Sequence, residues 1–245
     1  MELYNRSDPV ASLSPEGCEL KPSSMIRERG KQERRNAILR TAEAFIRRTG
    51  SIEFSLNGLA EESVVSVGTI YNLIGAKATV IYALLNRSLD EMSEMMVPST
   101  TTSSPIELAL LASDLAASVF EEDPVLLRPL YRFVLGAYEP EHRLAFMDRA
   151  LAFWKSKLSA LEEANLLIPE LTLDDLAREH QIYFAGLLDQ WVQGEIADDQ
   201  IRVHARYSAS MRLMVLADEK SREWLRGQMR AAKKSMRKIK AVSSR

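Results

Sequence analysis

The stretch from Ser55 to Lys77, SLNGLAEESVVSVGTIYNLIGAK, constrains this chain more than any other. A short amphipathic segment carrying Leu56, Leu59 and Ala60 runs into a tight break at Ser63-Val64-Val65. A second short segment follows from Ser66 to Leu73. Two brief helices joined by a three- or four-residue turn are the outline of a helix-turn-helix, whose second helix fits the major groove of DNA.

The charge distribution suits that outline. The net charge of −2 conceals strong segregation. Residues 25–87 carry ten Lys/Arg against six Asp/Glu, residues 88–219 ten against twenty-three, and residues 220–245 ten against one. An acidic body beside a basic section is the pattern expected when only that section meets phosphate, although charge asymmetry is also common among proteins that bind no nucleic acid. Cys18 is the single cysteine, so no internal disulfide forms and the chain reads as made for a reducing compartment. The N-terminus has no apolar signal core, and no segment reaches the roughly 18 uninterrupted apolar residues of a membrane span. The expectation is a cytoplasmic protein with no membrane partner.

Taken in order, residues 1–24 carry Pro9, Pro15, Gly17 and Pro22 with no hydrophobic period, and read as a disordered tail. The basic run Met25–Arg35 leads into a helix; Arg27, Arg29, Lys31, Arg34 and Arg35 could form an arm on DNA or a solvated helix start with Glu28 and Glu33 as partners. A first helix is expected from about Gln32 to Arg48, with Ile38, Ala42, Phe45 and Thr49 in one stripe and Gly50 as its stop. Ser55 and Ser66 can cap the two short helices. A fourth helix from Lys77 to about Val97 turns Ile81, Leu84, Leu85, Met92, Met95 and Met96 inward, and the polar run after Pro98 is the best boundary in the chain. Helical patterns continue over Ile106–Phe120, Val125–Tyr138, Pro140 to before Pro169 (with Leu144, Met147 and Trp154), Leu171–Gln193 and Ile201–Leu216. A last basic helix spaces Leu225, Met229, Ala232, Met236 and Ile239 as a heptad seam. No segment alternates as a strand does, so the fold class is all-α: residues 25–87 form an N-terminal three-helix unit with the helix-turn-helix, a long fourth helix joins it to a helical body over 88–219, and 220–245 is a basic C-terminal helix or tail.

Residues Ala37 to Leu85 resemble the DNA-binding domain of TetR-type repressors. The most specific part is Gly68-Thr69-Ile70-Tyr71 followed by Gly75 and Lys77, and Leu187–Ile196 (LLDQWVQGEI) is similar to the W-x-x-G helix end of the family's regulatory domain. The resemblance implies a homodimer that binds a palindromic operator in double-stranded DNA and releases it when a small-molecule effector enters the C-terminal domain, most often as a repressor. It implies that Ser55 contacts phosphate, that Ser66, Val67, Gly68, Thr69, Tyr71 and Asn72 lie on the recognition face, and that Lys77 grips phosphate; from the basic run itself, Arg34 and Arg35 are the further candidates for phosphate contact. It also places Ile70 and Ile74 inward against the first helix. The family usually has Ala-Gly in the turn, where Ser63-Val64 stands here; a β-branched residue at φ > 0 is strained.

Ser66 to Ile74 contains no charged residue. Base reading then falls to Asn72, Thr69 and a methyl contact from Val67, with Tyr71 on phosphate or sugar. An apolar or aromatic effector would meet Phe120, Tyr131, Tyr138, Trp154, Tyr183 and Phe184, with Arg128, Arg132 and His180 as polar candidates. The dimer is expected through helices 171–193 and 201–216, using the small residues Ala205, Ser208 and Ala209 and the apolar Leu187, Leu188 and Trp191, unless those rows face the chain's own core. His142, His180 and His204 show no metal-ligand spacing, and there is no phosphate loop or nucleophile motif, so no enzyme, metal or cofactor is expected. The competing reading is a protein-interaction module of the same fold that has lost sequence-specific DNA binding.

Overall fold

The computed structural model describes residues 22–95, 104–136 and 139–243, and among these there is no strand. The first helix, α1, runs Pro22–Thr49, so it begins ten residues before the expected start at Gln32. The basic run continues the helix because its charges pair along it, Arg29 with Glu33 at 3.1 Å and Lys31 with Glu28 at 3.4 Å. The tail expected over 1–24 lies outside the described residues up to Lys21, and Pro22 to Ser24 belong to α1. Ile38, Leu39, Ala42 and Ile46 are buried. Thr49, placed on the same stripe by its spacing, is exposed, its hydroxyl donating to the Phe45 carbonyl at 2.9 Å in the final turn.

Two seven-residue helices follow, α2 (Leu56–Glu62) and α3 (Val67–Leu73), then α4 (Lys77–Met95). Gly75 makes the 52° bend between α3 and α4 with φ +125°. A Cβ there would sit 2.9 Å from the Thr79 hydroxyl, so space and dihedral both require glycine. Val80, Ile81, Leu84, Leu85, Leu89 and Met92 carry α4 into the body. Met95, expected inward, is 58 % exposed; Met96 and the polar boundary after Pro98 lie outside the described residues up to residue 103.

The body contains α5 (Pro105–Glu122), α6 (Pro124–Leu135), α7 (Pro140–Glu163), α8 (Leu173–Val192), a 3-10 turn (Asp198–Gln200), α9 (Ile201–Leu213) and α10 (Glu219–Ser243). Proline opens α5, α6 and α7, where its missing N–H costs nothing. Ser104 and Thr172 close capping boxes with Glu107 and Asp175. At the centre, the Phe120 ring meets Tyr131 at 4.8 Å, Trp191 at 5.6 Å and Phe184 at 5.9 Å, mostly edge-to-face. The W-x-x-G element has a clear local role. Buried Trp191 donates its indole N–H to Asp198 at 2.8 Å, Arg128 lies over its ring and pairs with Asp198, and Gly194 turns the chain at φ +80°. Leu144, expected inward on α7, is 62 % exposed, and Val125 at the start of α6 is 49 % exposed.

Helix α9 lies between α5 and α10. Ala205, Ser208, Ala209 and Ser210 are all buried there, which permits close approach on two sides at once. Asp114 of α5, only 2 % exposed, clamps this layer by accepting from Arg202 at 2.7 Å and Arg206 at 2.8 Å. Burial disfavours its charge, but the hydrogen bonds and charges of the two guanidiniums outweigh that and hold the carboxyl below its usual pKa. The dimer residues expected from the sequence are therefore corrected: Ala205, Ser208, Ala209, Leu187, Leu188 and Trp191 are packed inside their own chain. The heptad seam of α10 likewise docks on α9 through buried Leu225 and Ala232, while the Ile239 side chain lies outside the described residues. Among the described residues no single helix is long and apolar enough to cross a membrane.

Candidate functional site

Helix α3 is held in place by few groups. Its Ile70 is completely buried, and Val67, Leu73 and Ile74 are partly buried against the core. The Ser66 hydroxyl accepts the Thr69 N–H at 3.1 Å and lies 2.9 Å from the Thr69 hydroxyl. Ser55 caps α2 the same way, accepting from Gly58 N–H at 3.0 Å. With its inner side fixed, α3 presents Ser66, Gly68, Tyr71 and Asn72 to solvent, Tyr71 being 55 % exposed. Val67 and Thr69 are half-buried, which leaves Val67 with less free surface for a base methyl than the helical wheel alone suggests.

The turn before α3 keeps the geometry of a glycine turn without the glycine. Val64 has φ +56°, Val65 N–H bonds the Ala60 carbonyl at 3.0 Å and Val64 N–H bonds the Glu61 carbonyl at 3.1 Å, a Schellman ending of α2. Val64 is 90 % exposed, so no burial offsets the strain of a β-branched residue in this conformation. Geometry wins over propensity because both flanking helices are fixed by their caps and by Leu59 and Ile70.

Lys77 opens α4. Its ammonium pairs with Glu53 at 3.1 Å and lies 5.3 Å from the centre of the Phe54 ring. Glu53 is a partner the sequence reading missed, being 24 residues upstream in a loop with no periodic signal. Arg34 and Arg35 stand on α1 without an ion pair among the described residues, Arg34 exposed and Arg35 half-buried, whereas Arg29 and Lys31 are paired within the helix.

A second feature lies in the body. A cavity of about 60 Å³ is walled by Phe120, Tyr131, Trp154 and Phe184, with Gln181 as its polar member. Four of the six aromatics singled out from sequence thus face one space. Tyr183 is not among them: its hydroxyl donates to the His204 carbonyl at 3.0 Å and Arg212 covers its ring. Tyr138 lies outside the described residues. Of the polar candidates, Arg128 and Arg132 belong to a different crevice, and His180 is buried beside Trp154. Its ring Nδ1 bonds the Leu176 carbonyl, and burial, with the nearby Arg212 charge, lowers its pKa to about 4, so it is neutral at pH 7. Gln181 was not singled out from the sequence; the signal that marks it is that it interrupts the row Ala177, Phe184, Leu188 at helical spacing. Burial raises the pKa of the Tyr131 phenol, which therefore stays protonated and able to donate. Among the described residues no cluster of His, Cys, Asp or Glu could hold a metal ion.

The two features are joined by α4, whose Leu89 and Met92 line the cavity, and by an ion pair from α1. Asp123 ends α5 and caps α6, accepting from Leu126 N–H, and it receives Arg47 from the last turn of α1 at 2.5 Å. Arg47 is also held by Glu43 at 2.7 Å, and Glu43 by Arg87 of α4.

The described residues thus place two short helices joined by a tight turn at the N-terminal end of a longer fourth helix that runs into an all-α body. The particular fold is that of TetR-family transcriptional regulators. A structure described as a regulator of that family from Syntrophomonas wolfei superposes with a TM-score of 0.60 at 18 % identity, covering 76 % of this chain and 96 % of that one. One from a Rhodococcus species gives 0.56 at 19 % identity over 76 % and 100 %, and one from Streptomyces coelicolor 0.54 at 18 % over 87 % and 99 %. No protein-family model and no curated protein matches the chain. At these identities the likeness is one of fold, shared along nearly the whole of each relative.

Proposed function

We propose that this chain is a ligand-responsive transcriptional regulator that binds a palindromic operator as a homodimer and releases it when an apolar or aromatic effector enters the body. The observation that carries this reading is the outward face of α3, where Ser66, Gly68, Tyr71 and Asn72 are exposed on a helix whose opposite side is locked by Ile70. In this reading residues 25–87 read DNA and 88–219 sense the effector and pair the subunits. Asn72 reads an adenine edge, Thr69 and Val67 assist, and Tyr71 meets the backbone. Ser55, Lys77, Arg34 and Arg35 supply phosphate contacts. Lys77 must leave Glu53 to do so, a small cost for a pair whose carboxylate is 78 % exposed.

The effector would enter the cavity beside Tyr131, whose hydroxyl gives it a donor. A benzene ring needs roughly 150 Å³, so the present 60 Å³ must grow by parting α5, α6 and α8. Phe120 stands three residues before Asp123 and Tyr131 eight after it. Parting those helices moves Asp123, and through Arg47 it moves α1, on which α3 packs. The dimer would use the outer sides of α8 and α9 and the turn after α9, where Ile182, Met211 and Val215 are exposed, in place of the buried rows read from sequence. In a two-fold dimer the recognition helices stand roughly 34–36 Å apart, one turn of DNA.

The test is capture of genomic DNA fragments by the purified chain at two salt concentrations, followed by sequencing. Enrichment of one palindrome that persists at the higher salt is the expected result. Binding that is sequence-independent, or absent at both, points instead to an interaction module using the exposed Val64 and Tyr71 of the uncharged reading face.

A further inference from the structure

We propose that the crevice between the N-terminal unit and α6 is a second ligand site, built for a small molecule that carries a carboxylate or phosphate group. The crevice runs from the Gly50–Glu53 loop along α6 and opens into spaces of about 400 and 280 Å³ that share Gly50, Pro129 and Arg132. Ligand sites commonly occupy a few hundred Å³ where two structural units meet. The core cavity is smaller, at about 60 Å³.

The charges facing the crevice are unequally committed. Arg128 and Asp198 pair at 2.5 Å, and Asp198 also accepts from the Trp191 indole, so the two charges already offset each other. Lys77 and Glu53 pair at 3.1 Å at the rim, where Glu53 is free to swing into water. Arg132 is different. One of its amino groups donates to the Val192 carbonyl at 3.1 Å, and no carboxylate meets its guanidinium among the described residues. A guanidinium presents donors in a planar fork that fits carboxylate and phosphate oxygens in pairs. Arg132 therefore supplies the anchor, Lys77 a second cation once Glu53 turns away, and Pro129 and Phe133 an apolar wall.

The site does not depend on whether α3 reads DNA. Its regulatory consequence does rest on the function proposed above: an anion that engages Lys77 competes with a DNA phosphate for the same ammonium.

The experiment is calorimetric titration of the full chain, without DNA and at constant ionic strength, with phenyl phosphate, benzoate and benzyl alcohol. Saturable binding of at least one anion at millimolar concentration is expected, the stronger of the two identifying the preferred group, with the neutral alcohol at least tenfold weaker. Arg132→Gln should weaken the anion tenfold or more, Arg132→Lys several-fold through loss of the fork, and Lys233→Gln, on the exposed side of α10, not at all. The Arg132→Lys arm decides if the glutamine variant fails to fold. Undiminished binding by the Arg132 variants, equal binding of benzyl alcohol, equal weakening by Lys233→Gln, or no saturable anion binding overturns the site. Because no DNA is present, these outcomes are separate from success or failure of operator capture.

Discussion

Helices α3 and α9 carry similar side chains to opposite ends. Both are short and rich in small or hydroxyl residues, Ser66, Gly68 and Thr69 on one, Ala205, Ser208, Ala209 and Ser210 on the other. On α3 one face is buried through Ile70 and the other is left open. On α9 the small residues are closed off by α5 and α10, and Asp114 ties the layer with two arginines. Small residues at helical spacing thus mark a surface that can be approached closely. They do not say whether the approaching group is DNA, another subunit or the chain's own next helix.

The clamp on α9 offers the hardest test of that contrast. Replacing both Arg202 and Arg206 by alanine leaves the Asp114 carboxylate buried and uncompensated, and should cost about 3–5 kcal/mol in urea unfolding at pH 7. Because the folded pKa of Asp114 is depressed, its contribution is fully present above the unfolded carboxylate value, about 3.9, and is lost as pH falls through the lower folded value. The stability gap between the wild-type chain and Asp114→Asn should therefore narrow as pH is lowered through that window; a gap that widens would contradict the pairing.

Ala209→Leu probes the same layer by volume. Overpacking between α5 and α10 should destabilise the chain by about 1–3 kcal/mol. Were the Ala209 side of α9 turned to a partner subunit instead, sedimentation would show a dimer defect with unfolding of the monomer unchanged.

On α3 the expectation reverses. Asn72→Ala should leave stability within about 0.5 kcal/mol while lowering discrimination between operator and random DNA by about 1–3 kcal/mol. Lys77→Ala should weaken both DNAs alike and reduce the slope of log affinity against log salt by about one. Equal loss on specific and random DNA for both variants would remove the division between reading and anchoring.

Val64→Gly is the mildest change. Relieving a positive φ at an exposed β-branched residue should add about 1 kcal/mol, less the entropy that glycine gains in the unfolded chain. A melting temperature that falls would mean that Val64 makes a contact in solution that its 90 % exposure does not suggest.

Much of the fold was written locally. Apolar spacing, prolines at helix starts and the serines at positions 55, 66 and 104 specify where helices begin and what each buries, because helix periodicity and capping are satisfied within a few residues. The outward set on α3 was legible for the same reason, since burying Ile70 fixes the direction of Tyr71 and Asn72. The start of α1 was misplaced because i,i+4 charge pairs extend a helix without any hydrophobic signal.

What only the tertiary structure decided is which neighbour each face meets. The pairing of Lys77 with Glu53, the link from Arg47 to Asp123, the capture of α9 between α5 and α10, and the sorting of Arg132 away from the core cavity all join residues far apart in the chain. Side-chain chemistry sets what a group can bind, but packing selects its partner, and packing depends on the shape of the whole chain.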